Sequence, residues 1–153
     1  MDVYELSTKE VGDMAKSLVA AKIVEFGVSV EIPKGNKNIV IAKPGDGNRA
    51  IFIRVKSRRS GDWQIPITEG RSPKEKVEER EFWVLVDFTG YLDDPDYYIM
   101  SGSWLRRNIY EDHQNYLLSH GGNRPITPKS THHKVRIESV ERWKDRWDIL
   151  GLM

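Results

Sequence analysis

Residues 50–59, "AIFIRVKSRR", decide how the rest of the chain is read. Ile51, Ile53 and Val55 alternate with Phe52, Arg54 and Lys56, and a period of two marks a β-strand whose successive side chains leave opposite faces. Arg54 and Lys56 therefore share a face, with Arg58 and Arg59 close behind. Upstream, "VSVEI" (28–32) and "NIVIA" (38–42) read as two further strands, joined by the turn "PKGNK" and the Pro- and Gly-rich "KPGDGN". Before them, "STKEVGDMAKSLVAAKIVEFG" begins with Ser7 and Glu10 spaced as a capping box. Val11, Met14, Leu18 and Ala21 fall on one helical face, and Gly27 is a natural stop. The first sixty residues thus read α-β-β-β, with the strands as an antiparallel meander.

Downstream, residues 61–80 form a polar passage with a short helix at 73–80. "EFWVLVDF" (81–88) is an apolar run of β-formers and hence a buried strand, and "YYIM" (97–100) is a short fifth one. Ser103 caps a helix running to about Ser119, with Leu105, Ile109, His113, Tyr116 and Leu117 on one face. Residues 120–134 read as loop, and a last helix from about Glu138 brings Val140, Trp143, Trp147 and Leu150 together. This order, α-β-β-β-(α)-β-β-α-α, predicts one α+β (mixed α/β) domain over residues 1–153, a central mixed sheet flanked by helices.

Composition narrows the function classes. The absence of cysteine excludes disulfides and thiolate metal sites and fits a cytoplasmic setting. "MDVYELSTKE" lacks the basic start and apolar run of a secretory signal, and no stretch is apolar for long enough to span a bilayer. Net charge is only +1, yet residues 34–59 hold eight basic residues against the single acid Asp46. Such a patch on a nearly neutral chain is the footprint of a polyanion site. The competing reading is a solvated basic edge that deters strand-to-strand aggregation.

The helix, the strand starting at Asn38, the hairpin and the strand ending in Arg54-Val55-Lys56 together resemble the PD-(D/E)XK nuclease superfamily, in its small single-domain form. "STHHK" and the Trp-containing "ERWKDRWDIL" near the end of the chain are also similar to elements of those families. The resemblance implies a restriction-endonuclease-like fold. It also implies a site in which an acid at the start of the second strand and another two residues before the lysine hold Mg²⁺, while metal and lysine activate a water. Lys56 matches the lysine. Asn38 and Arg54 stand where the two acids belong, and a guanidinium repels a cation. Glu10 and Glu31 are the remaining candidates for relocated ligands, with a structural Arg54–Glu10 ion pair as the alternative.

The expectation is therefore a nuclease-like domain with a degenerate metal site that binds nucleic acid, DNA ahead of RNA, without efficient cleavage. Lys56, Asn38, Arg54 and Glu10 form its former catalytic set. Lys34, Lys37, Arg49, Arg54, Lys56, Arg58 and Arg59 form its phosphate-binding set, holding backbone without reading bases. No cofactor is called for, and Mg²⁺ enters only if the chain is an active endonuclease with relocated acids. A protein-interaction or immunity-type module that has kept only the fold is the third class, and a homodimer stays open.

Other constellations carry less. His132 and His133 are adjacent, so on a strand they point apart, and no acid completes a zinc set with His113 and His120. Trp143 and Trp147, four apart, read as core. No P-loop, GxSxG or GxGxxG pattern occurs.

Overall fold

The computed structural model describes residues 5–35, 37–45, 49–91, 94–122 and 132–152. Helix α1 (Thr8–Val24) is capped as its sequence predicts. Ser7 Oγ accepts the Glu10 N–H at 3.1 Å, and Glu10 Oε1 accepts the Ser7 N–H at 3.0 Å. Gly27, at φ +83°, ends the segment in a backbone conformation that favours glycine. The buried stripe runs through Val11, Ala15, Val19, Ala20 and Ile23, while Ala21 is exposed and Met14 and Leu18 are half-buried. This face is turned from the one expected, because the small alanines let the helix lie close on the sheet.

Strands β1 (Ser29–Glu31), β2 (Ile39–Lys43) and β3 (Ile51–Arg58) form the predicted antiparallel meander. Two short strands, β4 (Trp63–Pro66) and β7 (His132–Val135), pair with each other in a separate antiparallel sheet. β5 (Glu81–Tyr91) runs parallel to β3, and β6 (Asp94–Ser101) antiparallel to β5, which completes a five-stranded mixed sheet ordered β1-β2-β3-β5-β6. Parallel pairing of β3 with β5 requires a long crossover. Residues 59–80 provide it, through β4 and a 3-10 turn at Ile67–Glu69.

Three expectations are corrected here. Residues 73–80 hold turns and no helix, since Val77 is their one apolar side chain and leaves no stripe to bury. The passages read as loop contain β4 and β7. Trp63 and Ile65 are fully buried around exposed Gln64, an alternation too short to stand out between polar flanks. The last helix breaks into α3 (Ile137–Val140) and two 3-10 turns, Glu141–Trp143 and Trp147–Leu150. Asp145 sits at φ 55° with its N–H on the Tyr97 carbonyl at 2.9 Å, so the chain turns there.

Both faces of the large sheet are covered. On one, α1 packs on Val40, Ile53, Val55, Val84, Val86, Phe88 and Ile99, with Trp147 and Leu150 at the margin. On the other lie Trp83, Leu85, Tyr98 and Met100. Over them sit β4, Val135, α3 and helix α2 (Gly102–Ser119), the last capped by Ser101 rather than Ser103. Trp143 joins this second core, so it and Trp147 part company. Burial on both sides explains why β5 reads as an unbroken apolar run. Among the described residues, no helix is long and apolar enough to cross a membrane.

Candidate functional site

The capping box fixes where α1 begins, and so places its first turns over the C-terminal end of β3. The β2–β3 pairing stops at this point. Ile39 is opposite Arg54, and the Val55 N–H reaches the Asn38 carbonyl at 2.8 Å. Beyond it β3 continues on β5 alone, from Lys56 opposite Leu85 to Arg58 opposite Asp87. The resulting notch is a cavity of about 360 Å³ lined by Thr8, Lys9, Gly12, Asp13, Lys16, Asn38, Val55, Lys56 and Ser57. A second cavity of about 370 Å³ shares Thr8, Lys56 and Ser57 with it and extends past Arg58, Arg59 and Ser60 to Asp62 and Gln64. Together they make a groove along the end of β3.

Lys56 and Asn38 are thus brought to one wall, as the sequence suggests. Glu10 is exposed and occupied with the cap, and does not line the groove. The acid that α1 contributes is Asp13, three residues on, which the sequence reading missed along with Lys16. Lys16 is 6% exposed; its Nζ donates to the Lys37 carbonyl at 3.0 Å and lies 3.4 Å from Asp13, tying the helix to the β1–β2 connection. The signal for both was present in the spacing: 10, 13 and 16 recur every three residues on one helix flank.

Arg54 does not pair with Glu10. Its guanidinium lies 4.7 Å above the Trp83 ring, 3.6 Å from Glu69 and 3.8 Å from Glu81. The same two acids hold Arg106 of α2. Glu81 takes Nε at 3.0 Å and Nη2 at 2.6 Å, and Glu69 takes Nη1 at 2.6 Å. A Cβ at Gly102 would come within 2.7 Å of Glu81 Oε2, so this turn of α2 requires glycine.

Arg58 also has a structural place. It lies 2.9 Å from buried Asp87, stacks 4.4 Å above Trp63 and donates to the Gly61 carbonyl. Arg59 donates to the Leu6 carbonyl at 2.5 Å and to Thr8 Oγ1 at 3.3 Å. Lys34, Lys37 and Arg49 are exposed, and Glu31 pairs with Lys43 at 2.5 Å, away from the groove. Asp46 lies outside the described residues.

Lys56 stands apart from this pattern. Among the described residues no carboxylate lies within ion-pair distance of it. Burial pushes its ammonium below the ordinary lysine range, and the charge of Arg54 pushes the same way. Asp13 is held below the usual carboxylate range, first by its hydrogen bond from Lys9. A divalent cation does not fit these donors. Mg²⁺ needs several oxygen ligands and repays carboxylates most. The notch offers one carboxylate, already between two ammonium groups, and the Asn38 amide. No cluster of three or more His, Cys, Asp or Glu suited to a metal occurs among the described residues.

The histidines lie elsewhere. His132 and His133 both line a cavity of about 490 Å³, and His133 Nε2 is 3.3 Å from Asp112. His120 stacks on Tyr116 at 4.0 Å. No family model, curated protein or solved structure matches the chain.

Proposed function

We propose that the groove at the end of β3 holds the sugar–phosphate backbone of nucleic acid, DNA ahead of RNA, and does not hydrolyse it. The scaffold of this reading is a restriction-endonuclease-like domain. An antiparallel meander followed by a parallel fourth strand, with Asn38 and Lys56 on one cavity wall beside α1, supports it. The single observation that carries the function is Lys56, a half-buried cation with no acid partner among the described residues, facing an open polar groove. A charge held this way is desolvated without compensation in the free protein, and a phosphate oxygen supplies the missing partner. Lys9, in the first turn of α1, lines the same wall, paired with Asp13.

The interface is narrower than the sequence suggests. Arg54, Arg58 and Arg59 are engaged with Glu69 and Glu81, with Asp87 and with the Leu6 carbonyl, so they shape the groove more than they contact its ligand. Among the described residues the groove wall carries no aromatic side chain for bases to stack on, which favours binding that tolerates any sequence.

Fluorescence anisotropy with a labelled duplex and a labelled single strand, titrated at low and moderate salt, tests the reading. Log affinity is expected to fall with log salt by about 0.9 for each duplex phosphate neutralised, and Lys56→Gln to remove about one such unit. Absence of binding to either probe at low salt overturns the proposal and favours a protein partner. Mg²⁺-stimulated cleavage by the wild type, abolished in Lys56→Ala, overturns its non-hydrolytic half.

A further inference from the structure

The histidine-containing strand near the end of the chain lines no part of the groove, yet the fold carries it to the groove's edge. In the β4–β7 ribbon Trp63 pairs with Val135, Gln64 with Lys134 and Ile65 with His133. Trp63, Ile65 and Val135 are buried beneath the ribbon, while Gln64 and Lys134 are exposed. Register partners on an antiparallel ladder project from the same face, about 5 Å apart. Gln64 stands at the far end of the groove, where it lines the second cavity. Lys134 lines the next cavity, the one of about 490 Å³. The two surfaces therefore meet across a single cross-strand pair.

The surface beyond Gln64 is basic. Side chains alternate along β7, so Lys134 shares its face with His132, and the extended backbone at Arg136 (φ −89°, ψ 151°) continues the row. Lys134 and Arg136 are exposed, and among the described residues no carboxylate lies within ion-pair distance of either. The one acid lining this cavity, Asp112, is 3.3 Å from His133. Tyr116 and Ser139 add hydroxyl groups to the wall. Two cations without acids and two neutral donors beside them are a set that phosphate oxygens complete.

We propose that the nucleic-acid surface crosses the β4–β7 ribbon, with Lys134 and Arg136 neutralising further phosphates of the same nucleic acid that Lys56 holds. This rests on the reading of the groove as a backbone site and extends its footprint. The ligand is accordingly a polymer with repeating phosphates, since a single phosphate group fills one cavity and gains nothing from the other. The added contacts are to backbone, so they raise affinity and salt dependence without reading bases.

The test follows binding of the full chain to a labelled duplex by anisotropy across a salt series. Lys134→Gln and Arg136→Gln should each lower the slope of log affinity against log salt by up to about 0.9, and the two together by up to about twice that. Each should cost less affinity than Lys56→Gln, because both side chains are exposed where Lys56 is half-buried. Thermal unfolding of both variants should match the wild type for the same reason. A second measurement needs no variant. Acetylation of Lys134, mapped by peptide mass spectrometry, should fall severalfold when duplex is bound, while that of Lys22 in the last turn of α1 should not change. An unchanged slope in the double variant, or a Lys134 equally reactive with and without duplex, ends the extension, and a loss confined to Lys56→Gln leaves the groove standing. Failure of the wild type to bind duplex at low salt removes the nucleic-acid reading itself.

Discussion

Arg54 and Lys56 leave the same strand two residues apart, both basic and both half-buried, and the protein treats them in opposite ways. Around Arg54 it has gathered Glu69 from the crossover, Glu81 from β5 and Arg106 from α2, over the ring of Trp83. Two acids and two guanidiniums close into a neutral cluster that joins four elements. Around Lys56 no acid is gathered among the described residues, and the groove stays open. Residue type therefore does not assign a role here. What assigns it is the sign of the charges that distant elements deliver.

The comparison breaks most visibly at the neutral cluster. Glu81→Gln leaves Arg54 and Arg106 with Glu69 as their remaining acid. The side chains of Glu81 and Arg106 are 8% and 10% exposed, so the loss concerns a desolvated pair. An unfolding free energy lower by about 3 kcal/mol is expected from chemical denaturation, since an uncompensated buried charge is left behind. The contact to Arg54, whose side chain is 33% exposed, adds little to that. A loss below about 0.5 kcal/mol would mean that the cluster is not structural and that Arg54 is free to serve a ligand.

A second cut separates Arg58 from its acid. Burial works against ionised Asp87, but the hydrogen bonds from Arg58 and Thr89 prevail and hold it below the ordinary carboxylate range. Its folded value is thus lower than its unfolded one. The stabilisation is fully present above the unfolded value of about 4 and is lost as pH falls through the folded value. Arg58→Ala should cost about 2–3 kcal/mol at neutral pH, and the deficit should shrink as pH falls below the ordinary carboxylate range and Asp87 takes up its proton. A deficit that does not change with pH would assign the cost to lost stacking on Trp63 instead.

The smallest effect on stability is expected at Lys56. Lys56→Gln removes an ammonium with no acid partner among the described residues, so thermal unfolding should shift by less than about 1 kcal/mol or improve slightly. The same variant should carry the largest loss in nucleic-acid binding. A large destabilisation would show that Lys56 holds the fold together, and the contrast with Arg54 would collapse.

The strands that read most clearly in the sequence are those whose local pattern and burial agree. β3 alternates because one face meets α1, and β5 reads as an apolar run because both its faces are covered. β4 and β7 were illegible because each is four residues long and buries its apolar side chains against a partner some seventy residues away. The last helix failed for a related reason. Val140, Trp143, Trp147 and Leu150 keep helical spacing, but the first two belong to one core and the last two to the other.

By itself the sequence determined the capped first helix, the three-stranded meander, the alternation that sets Arg54 beside Lys56, and the presence of an amide and a guanidinium, not carboxylates, at Asn38 and Arg54. Each is a local matter of spacing or residue type, readable within a few positions. Tertiary structure alone decided which cations would be neutralised. Glu69, Glu81 and Asp87 lie between 15 and 37 positions from the arginines they face. Bringing them there takes a parallel crossover and the packing of α2 on the sheet. Charge interacts through space, so the choice between an ion cluster and an open groove was settled by where the chain returned.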